Sequence, residues 1–168
     1  MHRTRLVLGL GLLIAAAGTA NANEHPMKPF FPGTDTCYAR TYSAAHLKSH
    51  PKQRVRVFQI VHPFAYASTD VGADFLMAVS FQLKGRKDRF GPMSTYCKGE
   101  PDGTASCTVE GDMGRFKLSR GTGNALIVTI NDLSDEGGPD LGKGGDDKVI
   151  VLHKAPMKAC PKNTLDVD

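Results

Sequence analysis

Met93-Ser-Thr-Tyr-Cys97-Lys-Gly-Glu-Pro101-Asp-Gly103-Thr-Ala-Ser-Cys107-Thr-Val-Glu-Gly111-Asp-Met-Gly114-Arg-Phe116-Lys-Leu118-Ser-Arg-Gly-Thr-Gly-Asn-Ala-Leu126-Ile-Val128-Thr-Ile130 is the stretch on which the fold turns. Short runs of β-favouring residues alternate with Pro-Asp-Gly, Gly-Asp-Met-Gly and Arg-Gly-Thr-Gly-Asn, each a turn signal. Phe116 and Leu118 are placed on one face by the period of two. Leu126, Val128 and Ile130 follow the same rule in the next run. Strands this short, joined by turns this tight, predict antiparallel sheet.

The first hairpin can be counted residue by residue. Pro101 presets φ for a type I turn, and Gly103 supplies the left-handed position of a three-residue loop closed by Glu100 and Thr104. Counting outward places Cys97 directly opposite Cys107. Opposed Cβ atoms lie about 4.5–5.5 Å apart in such a pair. A disulfide spans about 3.5–4.5 Å between Cβ atoms, so a small change of twist joins them.

Working outward to the N-terminus, Arg3 and Arg5 precede an apolar run over 6–18, and Ala20-Asn21-Ala22 is a small-x-small sequence. The run is too short for a membrane span. This is the pattern of a secretory signal peptide over residues 1–22, cut after Ala22. The residue after the cut is Asn23 and not a lipobox cysteine, so a soluble product is expected, periplasmic or secreted. Four cysteines in an exported chain read as two disulfides with three possible pairings. With Cys97–Cys107 assigned by the hairpin, Cys37–Cys160 follows by elimination, and each of those residues lies beside a terminal element.

Residues 23–168 suit one domain. The 168-residue chain carries 21 Lys and Arg against 17 Asp and Glu. Loss of Arg3 and Arg5 leaves it nearly balanced, which speaks against a nucleic-acid partner. No later stretch is long and apolar enough to span a bilayer.

The remaining elements follow in order. Residues 23–36 hold three prolines and the Phe30-Phe31 pair. They read as an extended arm whose phenylalanines cover a sheet edge or form a partner-binding patch. Residues 37–42 form a strand. Ser43 caps a short helix over 43–50 that Pro51 stops, and His46 and His50 fall on one face of it. Two histidines alone make a weak metal site, because structural sites need about four ligands. Val55–His62 is apolar on both faces, with Val55, Val57 and Val61 on one and Phe58 and Ile60 on the other. Pro63 ends that strand, and residues 64–74 read as a loop. In 75–84, Phe75, Met77, Val79, Phe81 and Leu83 alternate with Leu76, Ala78, Ser80, Gln82 and Lys84, which places one face in the core. The charged turn 85–89 offers a small basic patch. The last strand, 148–153, is apolar on both faces and reads as central. The predicted fold is mainly β, a small antiparallel sandwich or barrel of about seven or eight strands with one short helix and two disulfides.

Residues 131–148 form a glycine-rich acidic loop. Asp135, Glu136, Asp140, Asp146 and Asp147 are oxygen donors of the kind calcium takes, although their spacing matches neither the EF-hand loop nor the nonapeptide repeat. Neither disulfide restrains this loop, which makes it the first candidate for a mobile binding element. Catalytic signatures are missing: there is no Gly-x-Ser-x-Gly elbow and no His-Glu-x-x-His motif.

The runs Cys-Tyr-Ala-Arg-Thr-Tyr-Ser-Ala-Ala-His-Leu-Lys-Ser-His-Pro-Lys-Gln-Arg-Val-Arg (37–56) and Asp-Asp-Lys-Val-Ile-Val-Leu-His-Lys-Ala-Pro-Met-Lys-Ala-Cys (146–160) resemble small exported bacterial proteins of uncharacterised function. This resemblance implies a periplasmic single domain. At the level of fold the chain also resembles the periplasmic β-barrel lysozyme inhibitors, in size, export and disulfides. Their Ser-Gly-rich loop followed by Lys-Tyr has no counterpart here, and residues 120–124 are the nearest approach to it. The expected function is a soluble, non-enzymatic periplasmic binding or envelope-associated protein without a cofactor. The alternatives are a calcium-dependent structural or binding protein acting through 131–148, or a hydrolase or hydrolase inhibitor.

Overall fold

A computed structural model of the chain describes residues 27–31, 36–62, 72–134, 140–143 and 145–160. The expectations for the leader at 1–22, for most of the loop over 64–74, for Asp135 and Glu136, and for the tail after Cys160 fall outside the described residues.

Eight strands form one closed antiparallel barrel in simple sequence order: β1 (Thr36–Thr41), β2 (Val55–His62), β3 (Phe75–Leu83), β4 (Phe90–Gly99), β5 (Ala105–Val109), β6 (Gly114–Arg120), β7 (Leu126–Leu133) and β8 (Val149–Ala155). Closure selects the barrel over the sandwich. Helix α1 (Ala44–Ser49) lies between β1 and β2. Ser43 caps it in extended backbone, its hydroxyl accepting from His46 N–H at 3.2 Å.

An eight-stranded barrel is just wide enough for its own side chains. Here Phe58, Phe81 and Phe116 fill it together with Ile60, Met77, Leu118, Leu126, Ile130 and Ile150, all fully buried. All five apolar residues of the alternating face of β3 belong to this core. The Phe58 and Phe81 rings stack at 6.4 Å, and Phe90 lies 5.0 Å from Phe81.

Residues 27–31 are not extended. They include a 3-10 turn over Lys28–Phe30, and Met27, Phe30 and Phe31 pack into the core. Phe31 stacks on His62 at 5.1 Å and reaches Phe75 at 5.6 Å. A closed barrel has no long edge to cover, so these rings pack over one mouth instead.

The β2 faces also differ from strict alternation. The register against β3 shifts between Val55 and Val57. This bulge uses up one residue of the alternation, so Val55 joins Phe58 and Ile60 inside the barrel while Val61 faces outward. Val61 packs there with Cys37 and Cys160 under the 3-10 turn Met157–Ala159. Gln59 holds that turn: its side-chain amide donates to the Ala159 carbonyl, and its oxygen accepts from Arg89 and, at 3.3 Å, from Ser80. The covering explains why Ala78 and Ser80, on the outward face of β3, are nonetheless buried.

Both disulfides form as read from the sequence, Cys97–Cys107 between directly paired residues and Cys37–Cys160 across 123 positions. The hairpin between β4 and β5 closes with Glu100 N–H donating to Thr104 O at 2.8 Å and Gly103 at φ +80°. Strand β4 starts at Phe90, earlier than the quoted stretch, and passes through Pro92 where the register against β3 slips by one. A bulge is a place where a strand tolerates proline.

Candidate functional site

Strand β8 pairs with different neighbours along its length. Its N-terminal half, from Val149 to Leu152, pairs with β7. Its C-terminal half pairs with β1 through Ala39–His153, Tyr38–Lys154 and Cys37–Ala155, and there the β1–β8 ladder ends. Beyond it the chain leaves the sheet at Tyr42 and turns into α1. A cleft of about 370 Å³ occupies the resulting notch, lined by Arg40, Tyr42, His46, His50, Gln53, Asp146, Val149 and Val151.

Sequence reading took β8 as buried on both faces. Ile150 and Leu152 do point into the core, but Val149 is 50 % exposed and Val151 38 %. Among the described residues these are the exposed large hydrophobic side chains, and both open on this cleft.

The opposite wall is a stack of rings. Tyr42 lies on His46 at 4.7 Å, His46 on His50 at 4.1 Å, and the Arg40 guanidinium sits 5.0 Å above the Tyr42 ring. Burial holds the Tyr42 phenol above its ordinary pKa, against the pull of Arg40. Gln53 fixes the stack from below. Its amide nitrogen donates to Val55 O at 3.1 Å, so its oxygen must accept from His46 Nε2–H at 2.9 Å. His50 Nδ1 faces the His46 carbonyl at 3.0 Å. The lone pairs left on the two imidazoles lie in the planes of rings only 14° apart, one above the other. Among the described residues no group of three or more His, Cys, Asp or Glu is gathered to hold a metal.

One polar atom of a residue that lines this cleft is unsatisfied. Arg40 Nε is buried and has no hydrogen-bond partner. Of the oxygen donors read from residues 131–148, the described Asp140 and Asp147 are engaged away from the cleft. Asp147 is fully buried and accepts from the main-chain N–H of Arg54 at 2.9 Å and of Val55 at 2.9 Å, with Arg54 Nε at 3.6 Å. Asp140 pairs with Lys143 at 2.5 Å, and its carbonyl accepts from the Arg54 guanidinium. Asp146 is exposed at the cleft.

The described part of this loop is therefore not the unrestrained element expected. Leu141 is fully buried and exchanges two main-chain hydrogen bonds with Leu133, at 2.7 and 3.0 Å. Gly145, at φ +92°, passes so close to the Lys52 carbonyl that a Cβ would lie 2.9 Å from it. The sequence signal for mobility was glycine content. In this part of the loop glycine serves close approach instead.

A second crevice, of about 250 Å³, lies at the mouth covered by Phe30 and is lined also by Pro29, Tyr38, Arg120, Gly121, Asn124 and Lys154. Residues 120–124, the nearest approach to an inhibitory loop, run from the end of β6 into a 3-10 turn over Thr122–Asn124 beside it. Of the cleft residues, only His46 and His50 were singled out as a pair by sequence. Arg40, Tyr42, Val149 and Val151 come together because the β1–β8 ladder stops early. No family model, curated protein or solved structure matches this chain.

Proposed function

We propose that the chain is an exported, non-enzymatic binding protein that engages a partner protein or envelope component through the cleft between α1 and β8. The observation that carries this reading is the grouping of Val149 and Val151 with the Tyr42–His46–His50 stack. Solvent-facing apolar side chains that gather in one place mark interaction surfaces. The filled barrel interior supports an outer-wall site over an internal one. Two disulfides, and no helix among the described residues long and apolar enough to cross a membrane, agree with export as a soluble protein.

The test is photo-cross-linking in bacteria expressing the full chain, with a benzophenone amino acid at Val149 and, as control, at the exposed Lys98 on β4, four strands from β8 in the barrel. A discrete adduct from position 149 alone is the expected result. Adducts of equal yield from both positions, or none from 149, would overturn the reading. Fractionation of the same cells, with the intact mass of the product, tests export and cleavage after Ala22.

A further inference from the structure

We infer that the notch beside β8 accepts an extended peptide strand of a partner protein, and that a carboxylate on that strand pairs with Arg40. This rests on the binding reading above and names the class of partner.

The direction of the main-chain groups follows from two hydrogen bonds. Ile130 N–H donates to Lys148 O at 2.8 Å, so Lys148 faces β7. Main-chain groups alternate along a strand. Ile150 and Leu152 therefore also face β7, while Val149, Val151 and His153 face β1. On the other side, Tyr42 N–H donates to Arg56 O at 2.9 Å. Tyr42 and Arg40 thus face β2, and Thr41 and Ala39 face β8. The register that pairs Ala39 with His153 would next join Thr41 to Val151, and that pair is not formed. Opposite Val149 the same register would place Ser43, which has left the sheet to cap α1. The seam edge of β8 is therefore unpaired along Val149 to Val151, at the point where their side chains also stand exposed.

An open strand edge is a template for another strand, and proteins recognise extended peptides by adding them to such edges. The incoming main chain would complete the hydrogen bonds on the seam side of β8. Its alternate side chains would pack on Val149 and Val151 or meet the Tyr42–His46–His50 stack. The Arg40 guanidinium, which lines the cleft and has one unsatisfied N–H, adds a charge requirement. A guanidinium N–H without an acceptor is a standing cost, and a carboxylate is the acceptor that matches a guanidinium. None is supplied internally: Asp147 is held by Arg54 and Val55, and Asp146, though it lines the cleft, makes no ion pair with Arg40 among the described residues. The partner segment is thus an extended run with an acidic residue flanked by β-branched ones.

The probe is the blocked peptide acetyl-Ser-Thr-Val-Glu-Val-Thr-Ser-amide, titrated into the isotope-labelled exported protein and followed by amide shifts. Shifts centred on Thr41, Val149, Ile150 and Val151 are expected. Replacing the peptide's Glu by Lys should weaken binding about tenfold, the size of one hydrogen bond to a charged group. Methylating alternate peptide amides should abolish it. Arg40→Gln should remove the preference for Glu over Lys while leaving the shifts in place. Equal binding by the methylated peptide, shifts centred elsewhere, or no shifts at millimolar peptide would overturn the inference. A discrete cross-link from Val149 with no response to these peptides would sink strand addition and leave the binding reading standing. A concentration-dependent dimer that shifts the same amides would replace the partner strand by a second copy of this chain.

Discussion

Asp102 shows how much one exposed carboxylate can do in a turn. It accepts from the Thr104 hydroxyl and from the Thr104 N–H at 3.0 Å, and Lys117 reaches it at 3.1 Å. In that order these contacts hold its pKa down from 3.8 to about 2. A depressed carboxylate favours the folded state above its unfolded pKa, and that contribution is lost as pH falls through the folded value. The loss should therefore fall between about pH 4 and pH 2. Thr104→Val removes the largest cause, so a carbon-detected titration should show the Asp102 inflection rising, and rising further than in Lys117→Met. An unchanged inflection in Thr104→Val would contradict the assignment. In the core, Phe81→Ala should cost about 3–5 kcal/mol. Its neighbour Gln82 points outward but donates to the carbonyls of Arg86 and Lys87 at 3.1 and 3.0 Å, so Gln82→Ala should cost about 1 kcal/mol. Equal losses in chemical denaturation would mean that the register of β3 is wrong.

Among the elements, the β4–β5 hairpin was legible down to its paired cysteines, because Pro-Asp-Gly leaves little choice of loop and the count outward is then fixed. Strand β3 was equally legible, since five alternating apolar residues admit one face. The faces of β2 were not. A bulge at Arg56 and Val57 leaves no mark in a run that is apolar on both sides, and only the shift of pairing against β3 reveals it. The role of Asp147 within residues 131–148 was not legible either. Their acidic residues suggested an ion, yet Asp147 caps the start of β2 by accepting from two main-chain amides. Asp147→Ala would leave both donors buried and should cost about 2–4 kcal/mol. The same account expects the melting temperature to be equal in calcium and in chelator. A calcium-dependent rise that is lost in Asp147→Ala would return the loop to ion binding.

For the molecule as a whole, fold class, strand number and both disulfides could be read from sequence, because hairpin geometry and cysteine number constrain them jointly. The choice of barrel over sandwich could not, since closure depends on a β1–β8 pairing between the two ends of the domain. The cleft was hidden for the same reason. Cys37–Cys160 fastens one end of that seam, spanning nearly the whole domain. In the chain-entropy account so long a loop contributes about 4–5 kcal/mol, against about 3 for the short Cys97–Cys107 ring. Cys37→Ser/Cys160→Ser should therefore melt well below Cys97→Ser/Cys107→Ser, and the reverse order would show that the seam does not depend on its fastening. At the other end of the seam the ladder stops, and the reading of function rests on that interruption. Amide hydrogen exchange along β8 tests it most directly. Ile150 and Leu152 face β7 and should be protected to the level of global unfolding, while Val149 and Val151 face the notch and should exchange orders of magnitude faster. Uniform protection at all four amides would mean that the wall is closed where the cleft has been placed.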